Sequence, residues 1–291
     1  NVTTEERMYR MGKLHKTASV PIDKIKVYQK NNPNLIKIHP YLGSYFYRFN
    51  TKIPHLNDKR VRKALAMSIN RQQLTDRVTK GGETPAFTFT PPDTFGYSAR
   101  AAFEFNPKMA RDLMREAGYP NGEGFPVTEL LYNTSEGHRK IAVAIQQMWK
   151  KNLGINITLS NQDWKVYLDS VNNGSYAIAR AGWIGDYVDP NTFLNMWVTD
   201  GGNNRTGWSD PYYDDLISQQ APVSLNKFDR YTIMAKAEAV LLENMPIIPI
   251  YIYNSKSLVH PSVKGIEPNI LNYVLYKNIR LDSTLIEKEV D

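Results

Sequence analysis

The chain has no cysteine among its 291 residues, which excludes disulfide staples, thiolate nucleophiles and cysteine-ligated metal centres. No apolar run of about 18 residues occurs, the length that a membrane-crossing helix needs. Histidines stand only at 15, 39, 55, 138 and 260, and no pair has a metal-binding spacing such as His-Glu-x-x-His. A glycine-rich phosphate loop ending in Lys-Ser or Lys-Thr is missing, as is the Gly-x-Ser-x-Gly turn that presents a nucleophilic serine. No catalysis, cofactor or metal is therefore expected. The formal net charge is +7, yet 36 Lys and Arg are interspersed with 29 Asp and Glu. No dense basic run forms, so nucleic acid is not an expected partner.

What is present is an α/β pattern with enough apolar residues for a packed core, 42% of the chain against 22% charged. The chain opens Asn1-Val-Thr-Thr-Glu5, without an initiator Met or a basic-then-apolar leader, and reads as a mature or trimmed chain. Residues 1–42 read as helix, turn and strand. Thr3-Thr4-Glu5-Glu6 would cap the helix, Thr17–Pro21 would end a strand, and Leu35–Ile38 would form a short strand before His39-Pro40. Gly43 punctuates again, and Tyr45-Phe-Tyr-Arg-Phe49 starts a new strand with period-two aromatics. A domain boundary is placed near residue 42.

Further helices are expected after Asn57-Asp58, after Asn70 until Gly81-Gly82, and from Asn106-Pro107, the last burying Met109, Leu113 and Met114. Val127–Tyr132 reads as a strand, Ser135 as the cap of a helix through Lys151, and Ile155, Ile157 and Leu159 as the next strand. That strand–helix–strand unit predicts a right-handed crossover and parallel pairing. A short helix with Trp164 and Leu168 follows, then helices near 211–220 and 226–244, an apolar strand at 247–253, and a loop-rich end at 258–291.

The stretch Tyr176–Pro190 breaks its own strand pattern. Arg180 interrupts an apolar run, Gly182 removes a side chain, Trp183 adds a large one, and Asp186 follows Gly185. Two readings stand: a core strand with Arg180 and Asp186 paired and Trp183 as packing, or a site that holds something zwitterionic. By default His138 reads as a structural or solvent-facing histidine, and Trp164 and Trp197 as core.

Several segments resemble the periplasmic oligopeptide-binding proteins, the family 5 extracellular solute-binding subunits of ABC importers. They are Tyr132-Asn-Thr-Ser-Glu-Gly-His138, Trp149-Lys-Lys-Asn-Leu-Gly-Ile155, Asn161-Gln-Asp-Trp164 and Arg180-Ala-Gly-Trp-Ile-Gly-Asp-Tyr187. Leu56-Asn-Asp-Lys-Arg-Val-Arg-Lys-Ala-Leu65 and Thr90-Pro-Pro92 belong with them. The resemblance implies a periplasmic-binding-protein-like type II lobe, a mixed sheet flanked by helices, with a remnant of the other lobe. Residues 1–42 and 254–291 would belong to the first lobe, 43–253 would be the second ligand-binding lobe, and the N-terminal half would be absent.

It also implies a periplasmic or otherwise extracytoplasmic monomer that binds an oligopeptide, partners the membrane permease subunits of an importer, and is not an enzyme. Carried over by residue, Asp186 would bind the peptide ammonium, while Arg180 and His138 would receive its carboxylate at different peptide lengths. The backbone of Gly182, Trp183 and Ile184 would pair with the peptide main chain, and Trp164 and Trp183 would wall roomy side-chain pockets. Asn133 and Tyr187 complete the implied peptide-binding set. The alternative is the same fold around another solute: a dipeptide, a cell-wall peptide, haem or a nickel complex. Three positions depart from the family pattern: Val171 where relatives can carry an arginine, Ile184 where some carry a small residue, and Gly12-Lys-Leu-His15.

Overall fold

In the computed structural model, which describes residues 1–285, α1 (Val2–Arg10) is capped by Asn1, whose side chain accepts from the Thr3 N–H. The cap thus sits two residues before the expected threonine. α2 (Ile22–Asn31) begins directly after Pro21, where a strand end was expected. Proline's fixed φ suits a helix start, and the nearest β contact is an isolated bridge between Lys16 and Val259. β1 (Ile36–Phe49) then runs through Pro40 and Gly43 as one strand instead of two. Gly43 permits this passage, because a Cβ there would meet Ile184 and lie 2.9 Å from the Trp183 carbonyl oxygen.

α3 (Pro54–Asn57), α4 (Lys59–Met67) and α5 (Arg71–Leu74) follow, and the side chains of Asp58 and Asn70 cap the last two as expected. The short β2 (Thr84–Pro85) leads to α6 (Pro107–Glu116), capped by Asn106. α6 buries Ala110 and Met114, whereas Met109 lies exposed beside that stripe, a correction to the expected face. β3 (Thr128–Asn133), α7 (Glu136–Leu153) and β4 (Ile157–Gln162) form the expected unit, with β3 and β4 parallel. α8 (Trp164–Asn172) buries Tyr167 and Val171 and leaves Trp164 and Leu168 exposed. β5 (Ile178–Ile184) is followed by α9 (Asn191–Leu194), α10 (Pro211–Asp215) and α11 (Lys227–Asn244). β6 (Ile247–Leu258) precedes a loop-rich end in which β7 (Val263–Lys264) pairs with β8 (Arg280–Leu281); residues 286–291 lie outside the described part.

The main sheet has the order β2-β6-β1-β5-β3-β4. β1 is antiparallel to β5 and β6, and β3 is parallel to β4 and β5, which makes the sheet mixed. One face packs Tyr45, Tyr47 and Trp149 with residues of α4, α6 and α7. The other packs Phe46, Phe89 and Trp197 with α11. A small cluster of Tyr9, Ile25, Tyr28, Ile36 and Leu258 holds α1 and α2 apart from these. The boundaries expected near 42 and 253 fall inside β1 and β6, which run on from the large core towards the small one.

β6 carries a bulge that matters for the site. Tyr45 faces Tyr251 while Phe46 faces Pro249, so Ile250 is the extra residue. The extra residue resets the alternation, and Ile248, Ile250 and Tyr251 all enter the core that holds Tyr45, with Tyr253 packed against it. Arg71, fully buried, donates from Nε to the Pro249 carbonyl at 2.8 Å and from Nη1 to those of Ala66 and Ile69. The Ile250 carbonyl accepts from the Ala86 N–H at 3.1 Å.

Candidate functional site

Pairing of β5 with β3 ends at Leu131 opposite Ala179, so from Arg180 onward one edge of β5 is open. Gly185 N–H donates to Leu42, and the Ala177 carbonyl accepts from Asn50, both on the β1 side. Alternation along an antiparallel ladder therefore turns the N–H and C=O of Arg180, Gly182 and Ile184 to the open edge. The Tyr167 hydroxyl occupies the Arg180 carbonyl. Gly182 and Ile184 remain as main-chain donors and acceptors for an added extended chain.

Arg180 stands at one end of this edge. Its guanidinium lies 4.7 Å from the Tyr45 ring centroid, and it donates to the Tyr253 hydroxyl at 2.8 Å and to Asn133 Oδ1 at 3.3 Å. Tyr45 stacks on Tyr251 at 4.6 Å, and its hydroxyl lies 3.3 Å from His138 Nδ1. Burial pushes the hydroxyls of Tyr45, Tyr251 and Tyr253 up, so they stay neutral. Gly182 has no room for a side chain, since a Cβ would lie 2.6 Å from the Tyr253 hydroxyl and 3.2 Å from Arg180 Nη2.

Burial and the nearby Arg180 cation push His138 down to about 3, so its ring is neutral near neutral pH. An unfolded histidine titrates near 6.5, so between about pH 6.5 and 3 the unfolded chain binds a proton that the folded chain refuses. This contribution to stability is complete above pH 6.5 and is lost as the pH falls. His138→Gln is expected to flatten the acid-side decline of the urea midpoint, by less than the single-site limit of about 1.4 kcal/mol per pH unit. Parallel declines for the two proteins between pH 6.5 and 4 would rule out a ring that the fold keeps neutral.

Asp186 is exposed beyond the other end of β5, and its N–H donates to Thr192 Oγ1 at 3.1 Å. Among the described residues nothing pairs with its carboxylate. The turn that carries it is held separately: Asp189 receives both Arg230 nitrogens, at 2.7 and 2.9 Å, and the Asn191 N–H. Half-buried Trp183 reaches the same Thr192 hydroxyl at 3.4 Å, and the exposed Tyr187 hydroxyl accepts from Asn191 at 3.3 Å. Trp164, 56% exposed, stacks on Tyr167 with centroids 5.6 Å apart. The Arg180–Asp186 pair of the packing reading does not form; about 20 Å of extended strand separates two residues six positions apart.

The structure thus gathers Arg180, Asn133, His138 and Gly182 around a tyrosine cluster at one end of β5. Trp183, Ile184, Asp186 and Tyr187 stand at the other end, and Trp164 flanks the edge through Tyr167. Trp197 is core, as expected, and Trp164 is not. Sequence reading missed Tyr45, Tyr167, Tyr251 and Tyr253. The alternating tyrosines were visible; the bulge that sets their phase was not.

The profile of the bacterial extracellular solute-binding proteins, family 5 Middle, matches residues 1–205. The chain belongs to this family. It is 37% identical over 270 residues to the periplasmic oligopeptide-binding protein OppA of Salmonella typhimurium, across 90% of this chain and 49% of that protein. The solved Escherichia coli murein tripeptide binding protein MppA superposes with a TM-score of 0.89 at 36% identity, covering 96% of this chain and 56% of that one. Haemophilus influenzae OppA in complex with RPPGFSPFR gives 0.86 at 32% identity, covering 97% and 56%. The chain spans about half the length of the curated relatives it matches. The family is one of solute-binding proteins, and its members OppA of Salmonella typhimurium and MppA of Escherichia coli are periplasmic. Among the described residues no helix is long and apolar enough to cross a membrane, and no cluster of acidic and histidine side chains could hold a metal.

Proposed function

We propose that this chain supplies a ligand-binding lobe of an extracytoplasmic protein that captures oligopeptides for the permease subunits of an ABC importer. The observation that carries this reading is the open β5 edge, with a guanidinium at one end and an unpaired carboxylate beyond the other. An extended peptide adds to that edge through the main chain of Gly182 and Ile184, which is indifferent to peptide sequence. Asp186 takes the peptide ammonium. Arg180 takes its carboxylate, which suits a planar fork, and neutral His138 lies behind it through Tyr45. Trp164 and Trp183 flank the bound side chains. The spacing of about 20 Å between the two charged positions, at roughly 3.3 Å per residue, suits a peptide of several residues.

Native mass spectrometry of the full-length protein, purified without denaturation, tests this directly. A heterogeneous set of short peptides is expected to leave with it on unfolding. A single non-peptide solute would overturn the reading. A cell-wall peptide is the second outcome of interest, favoured by the likeness to the murein tripeptide binding protein.

A further inference from the structure

We propose that Arg48 is the counter-charge for an acidic side chain of the bound peptide, which makes it a specificity-determining residue. The inference rests on the peptide-binding reading above. Arg48 stands on β1 directly across from Ala179, one residue before the edge of β5 opens. It is only 9% exposed. Among the described residues its side chain makes no hydrogen bond or ion pair, and its Nε is buried without a partner. Its guanidinium lies 5.6 Å from the Phe46 ring centroid.

The other well-buried arginines differ. Arg62 donates to the carbonyls of Leu56, Asn57, Asn244 and Met245, and Arg71, although its Nη2 also lacks a partner, donates to three carbonyls, whereas the Arg48 side chain donates to none. Those cations serve the fold.

Around Arg48 the charge is unbalanced. Arg205 and Arg180, both cations, act against its charge. The two tyrosines beside it, Tyr167 and Tyr176, spend their protons on the carbonyls of Arg180 and Arg205. A cleft just past the end of β1, lined among others by Asn50, Lys52, Asn172 and Arg205, contains no carboxylate. A buried guanidinium N–H without an acceptor is costly, and an anion brought by a ligand would satisfy it. The tie of Tyr167 to the Arg180 carbonyl links this cation to the edge on which the peptide lies. A glutamate or aspartate side chain is the anion that a bound peptide can supply there.

The test is calorimetry on the full-length protein, with short peptides carrying one Glu or one Gln at each position in turn. At one position the Glu peptide should bind about 10- to 100-fold more tightly than its Gln twin. Arg48→Gln should bring that ratio to about one, and Arg48→Glu should reverse it in favour of Lys peptides. Peptides that bind with no Glu preference at any position would overturn the proposal and leave the peptide reading intact. So would a preference that survives in folded Arg48→Gln. The Glu–Gln comparison in the unmodified protein decides the matter even where a variant fails to fold. Inorganic phosphate titrated alone is the remaining arm: phosphate binding without a Glu preference would mark a free-anion site and refute the acidic side chain. If no peptide of any composition binds, the functional reading fails and takes this proposal with it.

Discussion

Asp186→Ala in the full-length protein should weaken binding of a free peptide about 10- to 150-fold, the loss of a charge-assisted contact of roughly 1.5–3 kcal/mol. The change should leave stability alone, because no described side chain leans on the Asp186 carboxylate and its turn is fixed by Asp189, Arg230 and Thr192. That separation makes the measurement clean. N-acetylated peptides should bind weakly to both proteins, so that acetylation and the mutation together cost little more than either alone. Asp186→Asn should fall between, since it keeps an acceptor but not a charge. Enclosure sets the size of the effect. Asp186 is exposed in this chain, and an exposed ion pair is worth only about 0–1 kcal/mol. In this chain on its own, peptide binding and its dependence on Asp186 should therefore both be weak. Equal affinities for wild type and Asp186→Ala in the full-length protein would remove Asp186 from the site.

What could be read in the sequence was what local chemistry decides. Asp58, Asn106 and Ser135 cap helices because their side chains reach N–H groups two or three residues on, and the β3–α7–β4 unit follows from periodicity and a terminal glycine. Arg180 and Asp186 were legible as misfits in a strand. The rest depended on partners distant in sequence. β1 continues through Pro40 and Gly43 because β6 pairs with it as far as Pro40 and β5 pairs with it from Gly43, which no window of residues can show. In the sequence Arg48 is one polar residue in an aromatic strand. It became an anomaly only when its neighbours proved to be tyrosines and cations.

The tyrosine cluster is the clearest case of distant control, and it leads to the second large effect. Strict alternation from Ile248 would send Tyr251 to the opposite face from Tyr45; the extra residue Ile250 brings it back and carries Tyr253 to Arg180. Arg71, 178 residues before Pro249 in sequence, holds the bulge through the Pro249 carbonyl. Arg71→Met keeps most of the bulk but takes a donor from three buried carbonyls, of which Ala66 keeps another, the Ile69 N–H at 3.4 Å. Each costs about 1–3 kcal/mol singly, and their sum is less than additive. A loss of about 3–5 kcal/mol in urea unfolding is expected. Arg71→Lys should lose less, because one ammonium can still reach some of the three carbonyls. Where Arg71→Met still folds, peptide affinity should fall as well, although Arg71 lies in the core and not at the edge, because Tyr253 would no longer be held against Arg180 and Gly182. A variant as stable as wild type would mean that the Ala86 bond to Ile250 suffices to hold the bulge. Stability lost with affinity unchanged would mean that the bulge serves packing alone, and that the position of Tyr253 is set by its ring contacts with Tyr41, Tyr45 and Tyr251.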